Sequence, residues 1–322
     1  MTPDRRSRQA QRAAIKRRRI AAAASLALIV AAAVIFVAGI GSGEGTKSDP
    51  APPRYVRVEL DGRTLVKRRV EQLHRPAEQA AAIASIPARG TVHRGKATIE
   101  YQVDRAAATA ALRRAVERGG GAVTVHLRPV AASIAVPMIG QVLRDDCEAT
   151  ALSMVLGFSG HPVSQLTLQK QVAHSPPLDP TVAADGSEVW GDPSEGFVGR
   201  ADGGGPAGGF GVYQEPIRAL ARRHGLAMRE LTGSPPAAIY AALLAGHPVL
   251  AWVALSEGPY ASWVSPAGKP VQINYGEHAV VLTGVEGEDL HVNDPLSGER
   301  LVWTKQQFEQ MWAGLGHRAL AA

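Results

Sequence analysis

Between Ile20 and Ile40 the chain runs for 21 residues without a charged side chain, and this run decides where everything after it resides. At 1.5 Å per residue, a helix of that length spans about 30 Å, the hydrocarbon thickness of a bilayer. Eight cations precede it (Arg5, Arg6, Arg8, Arg12, Lys16, Arg17, Arg18 and Arg19), opposed by Asp4 alone. Lysine and arginine are retained on the cytoplasmic side of a span. The pattern therefore predicts a cytoplasmic basic tail over 1–19, a transmembrane signal-anchor helix over 20–40 and extracytoplasmic domains beyond. A cleaved signal peptide is the competing reading, for which Gly39 and Gly41 make a poor small-x-small site.

The same tail explains the charge balance. The whole chain carries a formal +6, the first 20 residues contribute +7, and the rest is left near −1. A near-neutral body offers no track for phosphates, so a nucleic-acid partner is excluded. Hydrophobic residues at 45% and charged ones at 20% exclude a disordered chain. Cys147 is the single cysteine, so an exported chain has no internal disulfide and depends on core packing. A lone thiol is either a small buried hydrophobe or a reactive group.

Glycine and proline over residues 41–53 mark a linker. A small α/β accessory domain is expected over 54–130. It has strands at Tyr55–Leu60, Thr98–Val103 and Ala122–Leu127, an Ala-rich helical stretch near 64–86, and a helix capped by Asp104 and stopped by Gly119-Gly120-Gly121. Near Ala131 the composition shifts. All five tryptophans and thirteen of the sixteen aromatics follow it, which places the bulky core and any substantial cleft in 131–322. There a helix is expected at about 147–158, a second through Pro216–Ala221, and strands at Val249–Val253, His278–Val285 and Leu290–Asn293. The glycines from 199 to 211 suit a mobile loop over a cleft.

Gly90-Thr91-Val92-His93-Arg94-Gly95-Lys96 has the spacing of a phosphate-binding loop, but Ala97 stands where a hydroxyl must bind magnesium and a strand pattern follows. The ten histidines are scattered, and the sequence implies neither a metal nor a cofactor. The segment from Gln141 to Met154 is more informative. Asp145 or Asp146 caps a helix that begins at Cys147, where the dipole favours a thiolate. Asp145, Asp146 and Glu148 oppose that charge, so a nearby imidazole is required. His247, His278 and His291 are the candidates. His278 opens an apolar strand that turns at Glu286-Gly287-Glu288 and returns through His291 to Asp294. A simple hairpin sets Asp294 opposite Val281, on the wrong face for His278, so contact between them requires a bulge or a strand end. The alternative is an edge histidine and a turn aspartate with no joint role.

Gln141–Cys147, Cys147-Glu148-Ala149-Thr150, Ala151-Leu152-Ser153-Met154 and Gly160 resemble the catalytic helix of bacteriocin-processing (double-glycine) cysteine peptidases, in their standalone exported branch. Trp190-Gly191-Asp192-Pro193 through Gly199, Gly209–Tyr213, and His278 through Asp294-Pro295 to Phe308 and Trp312 agree in the same order. The resemblance covers nearly all of 135–316. It implies an α+β architecture with a papain-like cysteine peptidase domain over 131–322. It also implies Cys147 as nucleophile, His278 as base, Asp294 as its orienting residue, Gln141 as oxyanion donor and a peptide or polypeptide substrate. Transglutaminase-like acyl transfer, or a catalytically silent module binding cell-wall or peptide ligands, are the alternatives. Residues 90–130 weakly resemble a peptidoglycan-binding domain attached to some exported transpeptidases, beside which a plain spacer is equally compatible.

Overall fold

The computed structural model describes residues 54–60, 63–125, 127–203 and 208–322. The tail, the anchor expected over 20–40 and the linker lie outside them. Among the described residues no helix is long and apolar enough to cross a membrane.

The N-terminal region runs β1 (Tyr55–Leu60), β2 (Arg63–Arg69), α1 (Pro76–Ala84), β3 (Arg89–Arg94), β4 (Ala97–Val103), α2 (Arg105–Glu117), β5 (Gly121–Thr124) and β6 (Leu127–Ile134). Asp104 caps α2, its carboxylate accepting the Ala107 N–H at 2.9 Å. Strand β1 lies between β2, antiparallel, and β5, parallel. Of the helix expected over 64–86, Val70–Leu73 forms a short 3₁₀ turn and the α-helix starts at Pro76. Arg63–Arg69 pairs as a strand instead, with Val66 opposite Val58 and in the core. Val56, Val58, Leu73, Ile83, Leu112 and Val123 form a core of their own. The β3–β4 hairpin instead turns toward the C-terminal region, where β4 pairs with β6 and Ala97, Ile99 and Tyr101 enter the larger core. The two cores thus meet across a continuous sheet within one compact unit, Pro53–Ala322.

The C-terminal region follows with α3 (Cys147–Phe158), α4 (Gln165–Gln171), the short strands β7 (Thr181–Val182), β8 (Glu188–Val189), β9 (Val198–Gly199) and β10 (Gly209–Gly211), then α5 (Gln214–Arg223), β11 (Arg229–Glu230) and α6 (Pro236–Leu244). It ends with β12 (Val249–Ala254), β13 (Tyr260–Val264), β14 (Pro270–Asn274), β15 (Glu277–Glu286), β16 (Asp289–Asp294), β17 (Glu299–Thr304), α7 (Lys305–Ala313) and β18 (Ala319–Ala321). Strand β15 is the hub of the main sheet. Its first half pairs with β12 and its last residues with β6, on the edge opposite β16. From His278 to Val285 it is buried throughout, as expected of a strand covered on both faces. Helix α3 packs against it, and its residues 147–156 are all buried, so its sequence shows no polar stripe. The fold is mixed α+β.

Glycines expected to form a mobile loop partly build the β9–β10 pair, in which Gly209 faces Gly199. Gly199 has φ +78°, and a side chain there would strike the Gly208 carbonyl, so close backbone approach explains this glycine.

Candidate active site

Cys147 is the first residue of α3. Asp146 caps the helix through its backbone carbonyl, which accepts the Thr150 N–H at 2.9 Å. The Asp146 side chain makes no capping bond and turns back to the Leu143 N–H. The Asp146 side chain therefore leaves the Cys147 N–H at the helix start uncovered.

His278 enters from the sheet, as the second residue of β15. The β15–β16 register runs Val285↔Leu290 and Gly284↔His291, then slips so that Leu282 faces Val292 and Val281 faces Asn293. The slip leaves Thr283 as an extra residue. It moves Asp294 on by one position, opposite Val280 rather than Val281, onto the face of β15 that carries His278. His278 Nε2 and Asp294 Oδ1 are 2.6 Å apart, both side chains being buried. The bulge that the hairpin arithmetic required is present. Asp294 is fixed further by the Leu296 N–H on Oδ1 (3.0 Å) and the Ser297 N–H on Oδ2 (3.2 Å). Burial alone would raise its pKa, but hydrogen bonds from His278 and from these turn groups hold the carboxyl down at about 2.

Cys147, His278 and Gln141 line one cleft of about 340 Å³, walled also by Asp145, Glu148, Phe210, Tyr275 and Glu277. His278 Nε2 is committed to Asp294, which leaves Nδ1 as the nitrogen available to a reacting group. Gln141 Nε2 donates to the Arg144 carbonyl at 2.8 Å and the Leu143 carbonyl at 3.2 Å, while its Oε1 is buried without a partner. His247 and His291 do not line this cleft. Trp190 is a core residue, buried against Trp263 at 5.1 Å between ring centroids.

The thiol itself is buried, and Sγ donates to Glu148 Oε2 at 3.3 Å. Burial pushes its pKa well up, and the neighbouring Glu148 and Glu277 push it further. The Ala279 N–H, the amide next to His278, draws it back. That amide places the sulfur at the head of β15. One donor atom from each of Cys147, Glu148 and Glu277 lies within 4.8 Å of the others. Among the described residues this is a group at metal-ligand spacing, but any ion there would occupy the sulfur itself, so the two carboxylates are read as the electrostatic surroundings of the thiol. Glu148 Oε1 accepts the Val212 N–H at 2.6 Å, and Glu277 Oε1 is buried without a partner. Burial raises both carboxyls; Asp145 raises both further, and Glu148 also raises Glu277. Gly211, at φ +130°, leaves the room they need. A side chain there would press on Glu148 Oε1 and come within 3.2 Å of Glu277 Oε2. The sequence reading noted Glu148 as repulsive and overlooked Glu277. Its only signal was its place directly before His278.

The fold and the cleft thus define a mixed α+β domain in which a helix-terminal cysteine and a histidine–aspartate pair share one cavity. Residues 133–320 match the model of the Peptidase C39 like family, and the chain belongs to that family. It is 35% identical over 182 residues to the uncharacterized protein YvpB of Bacillus subtilis (strain 168), covering 55% of this chain and 69% of that protein. A C39-like peptidase from Bacillus anthracis, known from its crystal structure, is 31% identical, with a TM-score of 0.51 over 58% of this chain and 94% of the other. A double-glycine-motif protease from an AMS/PCAT transporter, solved in complex with the leader peptide, is 17% identical with a TM-score of 0.34, covering 59% and 91%.

Proposed function

We propose that the domain is a cysteine peptidase that hydrolyses peptide bonds with Cys147 as nucleophile, His278 as general base and Asp294 holding the imidazole. The observation that carries this reading is the 2.6 Å His278–Asp294 bond, with its free Nδ1 in the same cleft as the only thiol. His278 Nδ1 takes the Sγ proton, and the thiolate attacks the substrate carbonyl carbon. The Cys147 N–H, at an uncapped helix start, faces the developing oxyanion. Gln141 adds a second donor when its amide releases one of its two local carbonyls. The imidazolium then protonates the leaving amine, leaving a thioester. Water, deprotonated by the same histidine, completes hydrolysis.

The peptide substrate is supported by membership of a peptidase family. The charge pattern of residues 1–40 supports a single-pass anchor with the domain outside the cytoplasm. The weak resemblance of residues 90–130 to a peptidoglycan-binding domain supports the cell wall as the ligand of the accessory region 54–130. Transfer of the acyl group to an amine differs only in the final acceptor, and a silent binding module requires no activated thiol.

Alkylation of Cys147 by iodoacetamide at neutral pH tests the reading. Cys147→Ala removes the labelled site. His278→Ala is expected to slow labelling of the wild-type thiol by about a hundred-fold, the lower range for general-base assistance. Equal rates for wild type and His278→Ala would remove the histidine from the mechanism and leave the binding module.

A further inference from the structure

Beside the cleft lies a larger cavity of about 530 Å³ with a different set of charged groups. Three carboxylates, Asp145, Glu148 and Glu277, line the cleft together with Arg144 and His278. No carboxylate lines the larger cavity, which has one ionic group, the Arg318 guanidinium. That guanidinium is held rather than loose. Its carbon stands 3.8 Å from the centroid of the buried Tyr213 ring, and Nη1 donates to Gln214 Oε1 at 2.8 Å. The Arg318 backbone carbonyl accepts from Trp312 Nε1 at 2.9 Å and from the Trp252 N–H at 3.1 Å, which anchors the residue at both ends. Among the described residues no carboxylate oxygen comes within ion-pair distance of it. Opposite it, Ser262 and Gln272 face each other across β13 and β14, both exposed, with no bond recorded to either side chain.

The two cavities adjoin. Phe210 of the cleft meets Tyr213 of the larger cavity edge-on at 5.8 Å between centroids. Asn274 lines one cavity and Tyr275 and Glu277 the other. Arg318 is also close enough to Glu277 to favour its charge.

A fixed guanidinium with an open side, set in a polar pocket that has no acid of its own, matches one ligand chemistry: a carboxylate, which takes two parallel N–H bonds from that fork. We propose that the Arg318 pocket is a substrate-anchoring site that binds a carboxylate of the peptide, either its C-terminal group or an acidic side chain, while the chain of the peptide passes Phe210 and Tyr213 into the cleft. The proposal deepens the peptidase reading and relies on it only for the ligand being a peptide.

Calorimetric titration of the full-length protein with acetyl-triglycine, its C-terminal amide, and acetyl-Gly-Glu-Gly amide separates the cases. The free acid is expected to bind about ten-fold tighter than the amide, the scale of one charge-assisted hydrogen bond. If the glutamyl peptide matches the free acid, the pocket reads side-chain carboxylates as well. If it matches the amide, the pocket reads the terminus. In Arg318→Gln the preference should vanish. Arg318→Lys, which keeps the charge and loses the fork, should retain only part of it, and serves as the test if the glutamine variant does not fold. Equal or absent binding of acid and amide to the wild type, or an undiminished preference in both variants, overturns the pocket. The titration is repeated on Cys147→Ala to exclude turnover; selective binding there, with wild-type thiol labelled no faster than in His278→Ala, would retain the pocket while the catalytic reading fails.

Discussion

The most exacting test of the site's construction is Asp294→Asn, because this carboxylate both holds the imidazole and closes the turn after β16. Its pKa is about 2 in the folded chain against an ordinary 3.8. At 1.36 kcal/mol per unit, that depression corresponds to about 2 kcal/mol of folding stability. The sign follows from proton binding. Between the two pKa values the unfolded chain holds the proton and the folded chain does not, so stability rises with pH. The contribution is fully present above about pH 4 and is lost as pH falls through 2. Asparagine keeps an oxygen for one partner but sets an NH₂ against the Ser297 N–H where Oδ2 accepted it. The variant should therefore be less stable than wild type by about 2 kcal/mol at pH 5, and by about 1 kcal/mol at pH 3. Urea unfolding followed by tryptophan fluorescence reads this domain, since all five tryptophans lie beyond residue 131. Alkylation of Cys147 should slow less than in His278→Ala, because the amide oxygen still accepts the ring N–H. A stability difference that stays constant between pH 5 and pH 3 would refute the argument that the Asp294 charge is a structural element of the site.

Glu277→Gln should move the midpoint of the alkylation rate of Cys147 to lower pH, since burial plus Glu148 and Glu277 raise the thiol and one of those charges is removed. Stopped-flow alkylation against pH measures it, and an unmoved or raised midpoint would contradict the assigned cause. For topology, a C-terminal reporter active only in the cytoplasm should be silent in cells, because the eight cations before Ile20 hold the N-terminus inside. Strong reporter activity would reverse that orientation.

What the sequence made legible follows the periodicity of its elements. Strand β15 was readable because it is an unbroken apolar run bounded by turn residues, and α2 because Asp104 and the glycine triplet punctuate it. The segment 64–69 was misread because its apolar residues suit either period, and only pairing with β1 decides the matter. The role of β3–β4 was invisible for a related reason. A hairpin's own pattern does not say which sheet it will join, and here β6 draws it into the larger one. The His278–Asp294 contact was legible only as a condition, a required bulge. Its position at Thr283 comes from β15 having to serve β12, β6 and β16 at once.

Of the two carboxylates around the thiol, Glu148 was legible as a neighbour of like charge, while its inward aim and the arrival of Glu277 were beyond the reach of spacing. Glu148 follows the cysteine on a helix buried on every side, so no polar face marks it as pointing inward. Glu277 sits 130 positions away and reaches the same point only because β15 begins there. Their presence changes how the site has to work. The thiol donates to Glu148, and so does not in that state donate to His278. Glu148 holds the proton donor in place while its own oxygens are tied to Val212 and to the sulfur. On the proposed mechanism the S–H must leave Glu148 before the imidazole that Asp294 orients takes its proton.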